Sequence, residues 1–532
     1  MEGQTLGGPA RSSLRNAAQP FSVKPVSSIE EGASRDYLVI FSGVSQNVLG
    51  LGAAAVGMLV VQVLLTRALG APGFGVVTVL SQAAFVASFG TRAGMDMAVL
   101  RAVAIDAGEG RYGNIRGRVT RAVLIAAAVS TAGALAAVAF KSSLLDAFSI
   151  SEANYAAALP AAALGLPFIA VANVYLAATR GLKIMRYTLY VFWAGQNVMW
   201  VVLTLLLWRF SVSAASSTLA YSLSWVWAAG TAAYLWRRTS RHWDVQGMEP
   251  GWLARLLRYA GPRTPAALFA QLLFWVDLFV VARFVSDAQV GVYSAALRAA
   301  QVMMLFLAAV NLMFSPYVAD LHNRGQTEHL DRLYKTLTRW IAAATLPVFL
   351  LIAIGPTSVL SVFGTAFSGG ERALLILLGG QVANIATGSA GFILVMAGRT
   401  GSDLLIYAAS IALDVVLALW LGARYGIEGA AAASAATFLF SNVARLLLVR
   451  RFIGIQPYDA NYSRLVLPGA ACAVTMWIVH SAVAAAPLID LVSTAVVGGL
   501  VYALAYGATG LTPEERRGAA ALLARLRLAG RS

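Results

Sequence analysis

The stretch LLTRALGAPGFGVV at residues 64–77 has a counterpart 216 positions later, VVARFVSDAQVGVY at residues 280–293. In both stretches an apolar run leads into an arginine, and a glycine follows the arginine by eight positions before the chain becomes apolar again. The pattern describes a helical hairpin, with the arginine near the end of one helix and the glycine near the start of the next. The residues that define it are Arg67 and Gly75 in the first copy, and Arg283 and Gly291 in the second.

A second pair of similar stretches supports an internal duplication. VTRAVLIAAA at residues 119–128 resembles LTRWIAAAT at residues 337–345, at an offset of 218. Two matches at nearly one offset predict two repeats in the same orientation, an organisation that often places a transported substrate between the halves. Chance similarity between apolar segments is the alternative.

The composition predicts a membrane protein. Of the 532 residues, 59% are hydrophobic and 12% are charged, whereas a soluble protein has about 25% charged residues. A spanning helix needs about 20 mostly apolar residues, and on that basis we count about fourteen spans. The predicted fold is an all-α polytopic membrane protein, with two repeated six-helix bundles followed by two C-terminal helices.

The expected organisation follows from these spans and from the polar segments between them. The polar N-terminus shows no cleavable signal peptide, so we expect the first span to act as a retained anchor. The predicted segments are a disordered cytoplasmic tail (1–36), an N-terminal six-helix lobe (37–236), a cytoplasmic linker with an interfacial helix (237–263), a C-terminal six-helix lobe (264–451), helices 13 and 14 (462–510), and a basic amphipathic cytoplasmic helix (511–532).

The distribution of basic residues explains the net charge of +16. With a cytoplasmic N-terminus, 32 of the 40 lysines and arginines fall on the inner side, which is the positive-inside pattern of membrane proteins. The charge therefore does not call for nucleic acid, and both termini are expected in the cytoplasm.

The sequence lacks the motifs that are typical of several classes of protein. Cys472 is the sole cysteine, which excludes an intrachain disulfide, and we expect it to be a small packing residue. The four histidines have no metal-ligand spacing, and there is no Walker A motif. The sequence thus predicts no enzyme, no cofactor and no metal, and energy must come from an ion gradient, the membrane potential, the substrate's own gradient or a partner.

Ionisable residues inside spans are costly and are therefore functional candidates. Asp277 and Arg298 are equally far from the turn of one predicted hairpin, so they should lie at one depth. They form either a structural ion pair or a site where Arg298 meets an anionic substrate. Arg92 and Asp96 are spaced to pair along a helix, and with Arg101 they form either an interfacial anchor or an intake site for a lipid phosphate.

Asp414 lies in the middle of a predicted span with no basic partner nearby in the sequence. The carboxyl is either protonated and hydrogen-bonded to a neighbour, or it is a coupling site for H⁺ or Na⁺.

For the residues that define the hairpin motif, the predicted role is architectural. Arg67 and Arg283 would face the carbonyl ends of their helices and reach the headgroups.

Several motifs together resemble bacterial polysaccharide flippases of the multidrug/oligosaccharidyl-lipid/polysaccharide exporter superfamily. The resemblance runs from about residue 35 to residue 450. The fourteen spans also fit this branch better than the twelve usual for its multidrug relatives. The motifs are LLTRALGAPGFG, GMDMAVLR at 94–101, LLRYAGPRTP at 256–265, VGVYSAALR at 290–298 and YGIEGAAAASA at 425–435.

The resemblance implies a transporter of the bacterial inner membrane that moves undecaprenyl-pyrophosphate-linked oligosaccharide to the outer leaflet by alternating access, for a surface polysaccharide such as O-antigen or exopolysaccharide. A polysaccharide polymerase is a possible partner, and the last two spans would guide the lipid tail. One alternative is a cation-coupled multidrug antiporter of the same superfamily. Another is an integral-membrane glycosyltransferase or polymerase, which the short outer loops disfavour.

Overall fold

The computed structural model describes residues 29–243, 251–483, 486–512 and 515. In this part of the chain the secondary structure is helical, without β-strands. Residues 29–43 and 515 belong to one unit, and residues 44–512 belong to a second compact unit that holds every site discussed below. The protein is a multi-pass membrane protein, because eight described helices are long and apolar enough to cross a bilayer, or ten when each of two bent pairs counts as one span.

The first half of the chain begins with a long helix that is kinked at Gly70. Gly70 has a φ of 66°, a left-handed conformation that glycine adopts without strain, and Pro72 follows with a φ suited to the start of a new helix. The helices of this half are α1 (Ile29–Thr91), α2 (Met95–Gly108), α3 (Tyr112–Ala139), α4 (Lys141–Ala147), α5 (Glu152–Tyr155), α6 (Ala158–Gly181), α7 (Arg186–Leu207) and α8 (Ala214–Ser240).

The second half contains a similar kink at Gly426, where φ is 57°. Its helices are α9 (Trp252–Leu272), α10 (Val276–Val281), α11 (Asp287–Gln301), α12 (Met304–Asn323), α13 (Thr327–Ile354), α14 (Pro356–Ser361), α15 (Thr365–Thr387), α16 (Ala390–Met396), α17 (Thr400–Ile453), α18 (Ala460–Ala482) and α19 (Pro487–Gly510).

Each predicted span overlaps a helix, and two helices differ in extent from the predicted segments. The first helix begins at Ile29, so residues 29–36 are helical. The predicted interfacial helix is not separate from span seven, because α9 continues from Trp252 to Leu272 after a single left-handed residue, Gly251. The predicted C-terminal amphipathic helix lies mostly outside the described residues.

Several predicted spans are interrupted along their length. Span two breaks at Ala93 and Gly94, which both have positive φ. The pair α11–α12 bends by 49° and the pair α15–α16 by 47°, and span seven breaks between Leu272 and Val276. Broken helices expose backbone groups that transporters use for binding, and in membranes such irregular backbone occurs only where protein or water covers it.

The two hairpin motifs contact each other directly. A methyl group on Gly75 would collide with the carbonyl of Asp287, and a methyl group on Gly291 would collide with the carbonyl of Ala71. Asp287 lies 216 positions after Ala71, as Gly291 does after Gly75. The two contacts are therefore the same contact made twice, once from each half.

The motif arginines also reach across to the opposite half, where they donate to carbonyl groups. Arg67 donates through Nε and Nη2 to the carbonyl of Val362, at 3.4 and 3.3 Å. Arg283 donates through Nη1 to the carbonyl of Asp146 at 2.8 Å. Val362 and Asp146 are again 216 positions apart.

We predict that Gly75→Ala and Gly291→Ala each loosen this contact. The added methyl meets backbone, which cannot move without separating the helices, and overpacking of this kind costs about 1–3 kcal/mol. Amide hydrogen exchange should rise in both stretches, 64–77 and 280–293, in either variant. Gly379→Ala is the matched control, because that helical glycine has open space around it. Exchange in both variants equal to that of the control would contradict the prediction.

Candidate functional site

Arg298 lies in α11, is 9% exposed, and is placed between the two halves of the chain. Its guanidinium carbon is 4.6 Å from the ring centroid of Trp275, an arrangement in which the ring face attracts the cation. Tyr221 of α8, in the first half, lies within electrostatic range. Nε of Arg298 has no hydrogen-bond partner, and within the described residues no carboxylate lies at ion-pair distance. The guanidinium is thus stacked on one aromatic ring, and no acid within the described residues neutralises it.

Arg298 and Asp277 do not form an ion pair within the described structure, which was one of the two alternatives for these residues. Asp277 accepts a hydrogen bond of 2.5 Å from the Tyr293 hydroxyl through Oδ2, and one of 2.8 Å from the Leu278 N–H through Oδ1. Tyr293 precedes Arg298 by five positions, which is about 140° around a helix at 100° per residue. Asp277 and Arg298 can therefore lie at the same depth without contact, because the face of the helix that is turned to Asp277 carries Tyr293.

Asp414 belongs to a cluster with Asp277. Asp414 is 1% exposed, neither of its carboxylate oxygens has a hydrogen-bond partner, and it interacts electrostatically with Asp277 and Tyr293. Ser434 lies close to Asp277. Two carboxyls without a basic partner in an apolar layer require a proton or a cation, and the oxygen atoms present are the type that Na⁺ and other hard cations prefer.

Arg92 and Asp96 do pair, although the helix between them is broken. Nε of Arg92 is 3.3 Å from Oδ2 of Asp96, and the guanidinium carbon is 3.7 Å from the ring centroid of Phe89. Arg180, at the end of α6, lies within electrostatic range of the same carboxylate. Arg101 is exposed on α2.

Aromatic rings form a continuous series between the Arg92 cluster and Arg298. Each ring contacts the next, with centroids 5.4 to 6.3 Å apart. Such spacings are favourable for aromatic pairs, so the series is a rigid wall of the first half. In order, the rings are Phe89, Phe85, Trp225 and Tyr221.

Three residues of the site could not be identified from the sequence. Tyr293 is a potential donor to an aspartate one hairpin away, but its five-residue offset from Arg298 places it on a different helix face from that arginine. Arg180 is one of the basic residues that the positive-inside pattern already explains. No sequence signal identifies Trp275, whose contact with Arg298 depends on the break in span seven.

The last two helices are joined to the second half by a buried polar group. His480 Nδ1 lies 3.0 and 2.9 Å from the two oxygens of Asp490, and Ser358 donates to Oδ2 of Asp490 at 2.6 Å. The serine bonds to the carboxylate and not to the imidazole, so the group is not arranged as a catalytic triad. Nearby, Cys472 is buried against Met476 and Tyr502, as its packing role predicts.

An apolar cavity of about 440 Å³ opens between α13 and the start of α18. Its wall consists of aliphatic side chains with a single phenol. The size and composition suit a hydrocarbon chain better than a polar molecule. The lining residues include Leu346, Leu350, Tyr462, Leu465, Val466 and Ala473.

Comparisons with known proteins agree with this architecture. Residues 41–322 match the family model described as polysaccharide biosynthesis protein. A probable low-salt glycan biosynthesis flippase, Agl15 of Haloferax volcanii, is 24% identical over 183 residues, which are 34% of this chain and 39% of that protein. The chain therefore spans well under half the length of this curated relative.

Two solved transporter structures share the fold. The lipid II flippase MurJ in an inward closed conformation superposes with a TM-score of 0.66 at 13% identity, covering 86% of this chain and 97% of MurJ. An inward-facing multidrug resistance MATE family transporter of the MOP superfamily superposes with a TM-score of 0.60 at 16% identity, covering 75% of this chain and 98% of the transporter. At these identities the likeness concerns the fold alone. The family match covers more than half of the chain, and the chain therefore belongs to the family of polysaccharide biosynthesis proteins.

Proposed function

We propose that this protein is a flippase that moves undecaprenyl-pyrophosphate-linked oligosaccharide from the inner to the outer leaflet by alternating access. The observation that carries the proposal is Arg298, a buried cation between the two halves that has no acidic partner in the described chain. A desolvated arginine is costly unless something pairs with it, and a pyrophosphate is an anion that its planar fork can bind through two parallel hydrogen bonds.

The membrane potential favours such a load. A pyrophosphate that crosses with two negative charges gains about 4.6 kcal/mol from an inside-negative potential of 100 mV, at about 2.3 kcal/mol per charge. That is sufficient to bias an equilibrium between two conformations. The apolar cavity beside α18 is a suitable place for part of the isoprenoid tail.

The conformational change would separate two repeated six-helix lobes, with fourteen crossings in all. The reciprocal contacts of Gly75 with Asp287 and of Gly291 with Ala71 support this division, because a two-fold relation between the lobes requires paired contacts at one offset. In this account the two hairpins form the outer gate, which is closed in the present conformation. The arginine bonds to Val362 and Asp146 hold the gate from its two sides.

The coupling site would be the carboxyl cluster of Asp277 and Asp414, with H⁺ or Na⁺ as the ion. The same cluster favours a second candidate function, a cation-coupled multidrug antiporter, because buried carboxyls attract cationic drugs. Arg298 disfavours that function, since an unneutralised cation between the lobes repels such a substrate. Resistance to cationic drugs that depends on the protein, together with unchanged glycan export without it, would favour the antiporter.

Replacement of Arg298 tests the substrate role. Arg298→Ala should lower glycan export at least tenfold at normal abundance, because a charge-assisted hydrogen bond is worth about 1.5–3 kcal/mol and about 1.4 kcal/mol is tenfold. Arg298→Lys should retain an intermediate rate, since lysine keeps the charge and loses the fork. Asp277→Asn should not rescue Arg298→Ala, because the two residues are not an ion pair.

The matched control for Arg298 is Arg424→Ala. Arg424 also lies over a tryptophan, 5.2 Å from the ring centroid of Trp420, but it is exposed. Export by this variant should equal that of the wild type. Wild-type export by a well-expressed Arg298→Ala variant would remove Arg298 from the substrate site.

Asp414→Asn tests ion coupling. The amide cannot take up a proton or bind a cation as a carboxylate does, so export driven by an imposed H⁺ or Na⁺ gradient in proteoliposomes should be lost while abundance stays near normal. Asp320→Asn, at an exposed ion pair with Arg324, is the control. Full gradient-driven export with asparagine at position 414 would show that the site needs only a hydrogen-bonding side chain.

A further inference from the structure

The break in span two creates a helix start without a cap. Ala93 and Gly94 have φ of 51° and 65°, and the helix resumes at Met95 with no side chain bonded to its first turn. The start of a helix carries a partial positive charge and free N–H groups, and it attracts anions. A helix start alone is common in proteins, so the surrounding side chains decide whether a ligand binds there.

Those side chains carry an excess of positive charge. Arg92 is 2% exposed; its Nε is at ion-pair distance from Asp96 but is not aligned for a hydrogen bond, and neither Nε nor Nη1 has a hydrogen-bond partner. Arg180 lies within electrostatic range of Asp96 and Arg92, and its Nε has no hydrogen-bond partner. The next residue, Gly181, packs against the carbonyl of Leu100, which places Arg180 beside the helix that carries Asp96. One carboxylate therefore lies near two guanidinium groups, and its Oδ1 has no hydrogen-bond partner.

This arrangement leaves a net charge of about +1 and several buried donors without acceptors. Unsatisfied buried donors are costly, and more so when they are charged. Phe89 covers one face of the Arg92 guanidinium, so the free N–H groups point along the plane of the group and not through that face. An acceptor with two or more anionic oxygens would satisfy them.

The depth of the cluster matches the inner surface of the membrane. Arg92 is seventeen positions after Gly75, which places it about 26 Å along the helix from the outer contact at 1.5 Å per residue. The hydrocarbon layer is about 30 Å thick. The cluster therefore lies near the headgroups of the inner leaflet, on the side where a lipid-linked substrate would arrive.

We infer that Arg92, Arg180 and the helix start at Met95 form an intake site for the pyrophosphate of a polyprenyl-linked substrate, with Asp96 as a competing anion. The inference rests on the proposed function and adds Arg180 as a binding residue. Asp96 holds Arg92 in place while the site is empty, and it weakens the bound state so that the pyrophosphate can move on toward Arg298. The series of aromatic rings that begins at Phe89 links the two sites.

The test is binding of farnesyl pyrophosphate to the full-length protein in nanodiscs of zwitterionic lipid, measured by titration calorimetry. Arg180→Gln should weaken binding about tenfold, and Arg180→Lys should weaken it less. Asp96→Asn should strengthen binding severalfold, because the competing charge is removed; a purely structural ion pair predicts no gain. Arg121→Gln, at an exposed arginine of α3, should leave affinity unchanged, and thermal unfolding verifies that each variant is folded.

Two further ligands test whether the site recognises a lipid-linked pyrophosphate, as opposed to free pyrophosphate or a phospholipid headgroup. Inorganic pyrophosphate should bind at least tenfold more weakly than farnesyl pyrophosphate, and phosphatidylglycerol in the nanodisc should not displace the latter. Equal binding of inorganic pyrophosphate, displacement by phosphatidylglycerol, or wild-type affinity in a folded Arg180→Gln variant would each overturn the inference. Any of these results leaves the proposed function standing, because export through Arg298 is measured separately.

Discussion

The structure depends on one close approach: the backbones of two helix starts touch where Gly75 and Gly291 provide no side chain. Each glycine faces a carbonyl of the opposite hairpin, so the outer ends of the two halves meet without intervening side chains. Small residues allow such an approach between membrane helices, whose association depends on van der Waals packing and polar contacts because lipid supplies no hydrophobic driving force. The flanking arginines then add hydrogen bonds to carbonyls at the edges of the contact.

A contact of this kind is strong enough to close one side of the molecule and local enough to be released. It involves two hairpins and two arginine bonds, and the second hairpin also carries Tyr293, which donates to Asp277 of the carboxyl cluster. The arginine cluster has different chemistry, because Arg92 and Arg180 lie near a single carboxylate, Asp96, and leave a net positive charge. Charged groups that are buried without full pairing are destabilising on their own. We propose that an anionic substrate completes these interactions.

The sequence predicted the fold class and the hairpin motif because hydrophobic run length and composition determine them. The offset of 216 residues between the two motifs was also visible in the sequence. The same offset separates the residues that the motif arginines contact, since Arg67 and Arg283 bind carbonyls that are 216 positions apart. What the arginines bind could not be predicted, because the offset says nothing of which surfaces face each other. The contacts of Asp277 depended on helix rotation, which a comparison of depths ignores. Arg180 could not be predicted as a site residue, because an arginine near a helix end is usually explained by the positive-inside rule.

We propose that the protein transfers a pyrophosphate-linked glycan between leaflets. The most direct measurement is the leaflet location of lipid-linked oligosaccharide in cells from which the protein has been depleted, read out by its accessibility to a membrane-impermeant glycan-oxidising reagent. The account predicts that this lipid accumulates and is protected from the reagent until the cells are opened, with restoration of access when the wild-type chain is supplied. Accumulation of a fully accessible lipid-linked oligosaccharide would contradict the account, because the block would then lie after the transfer.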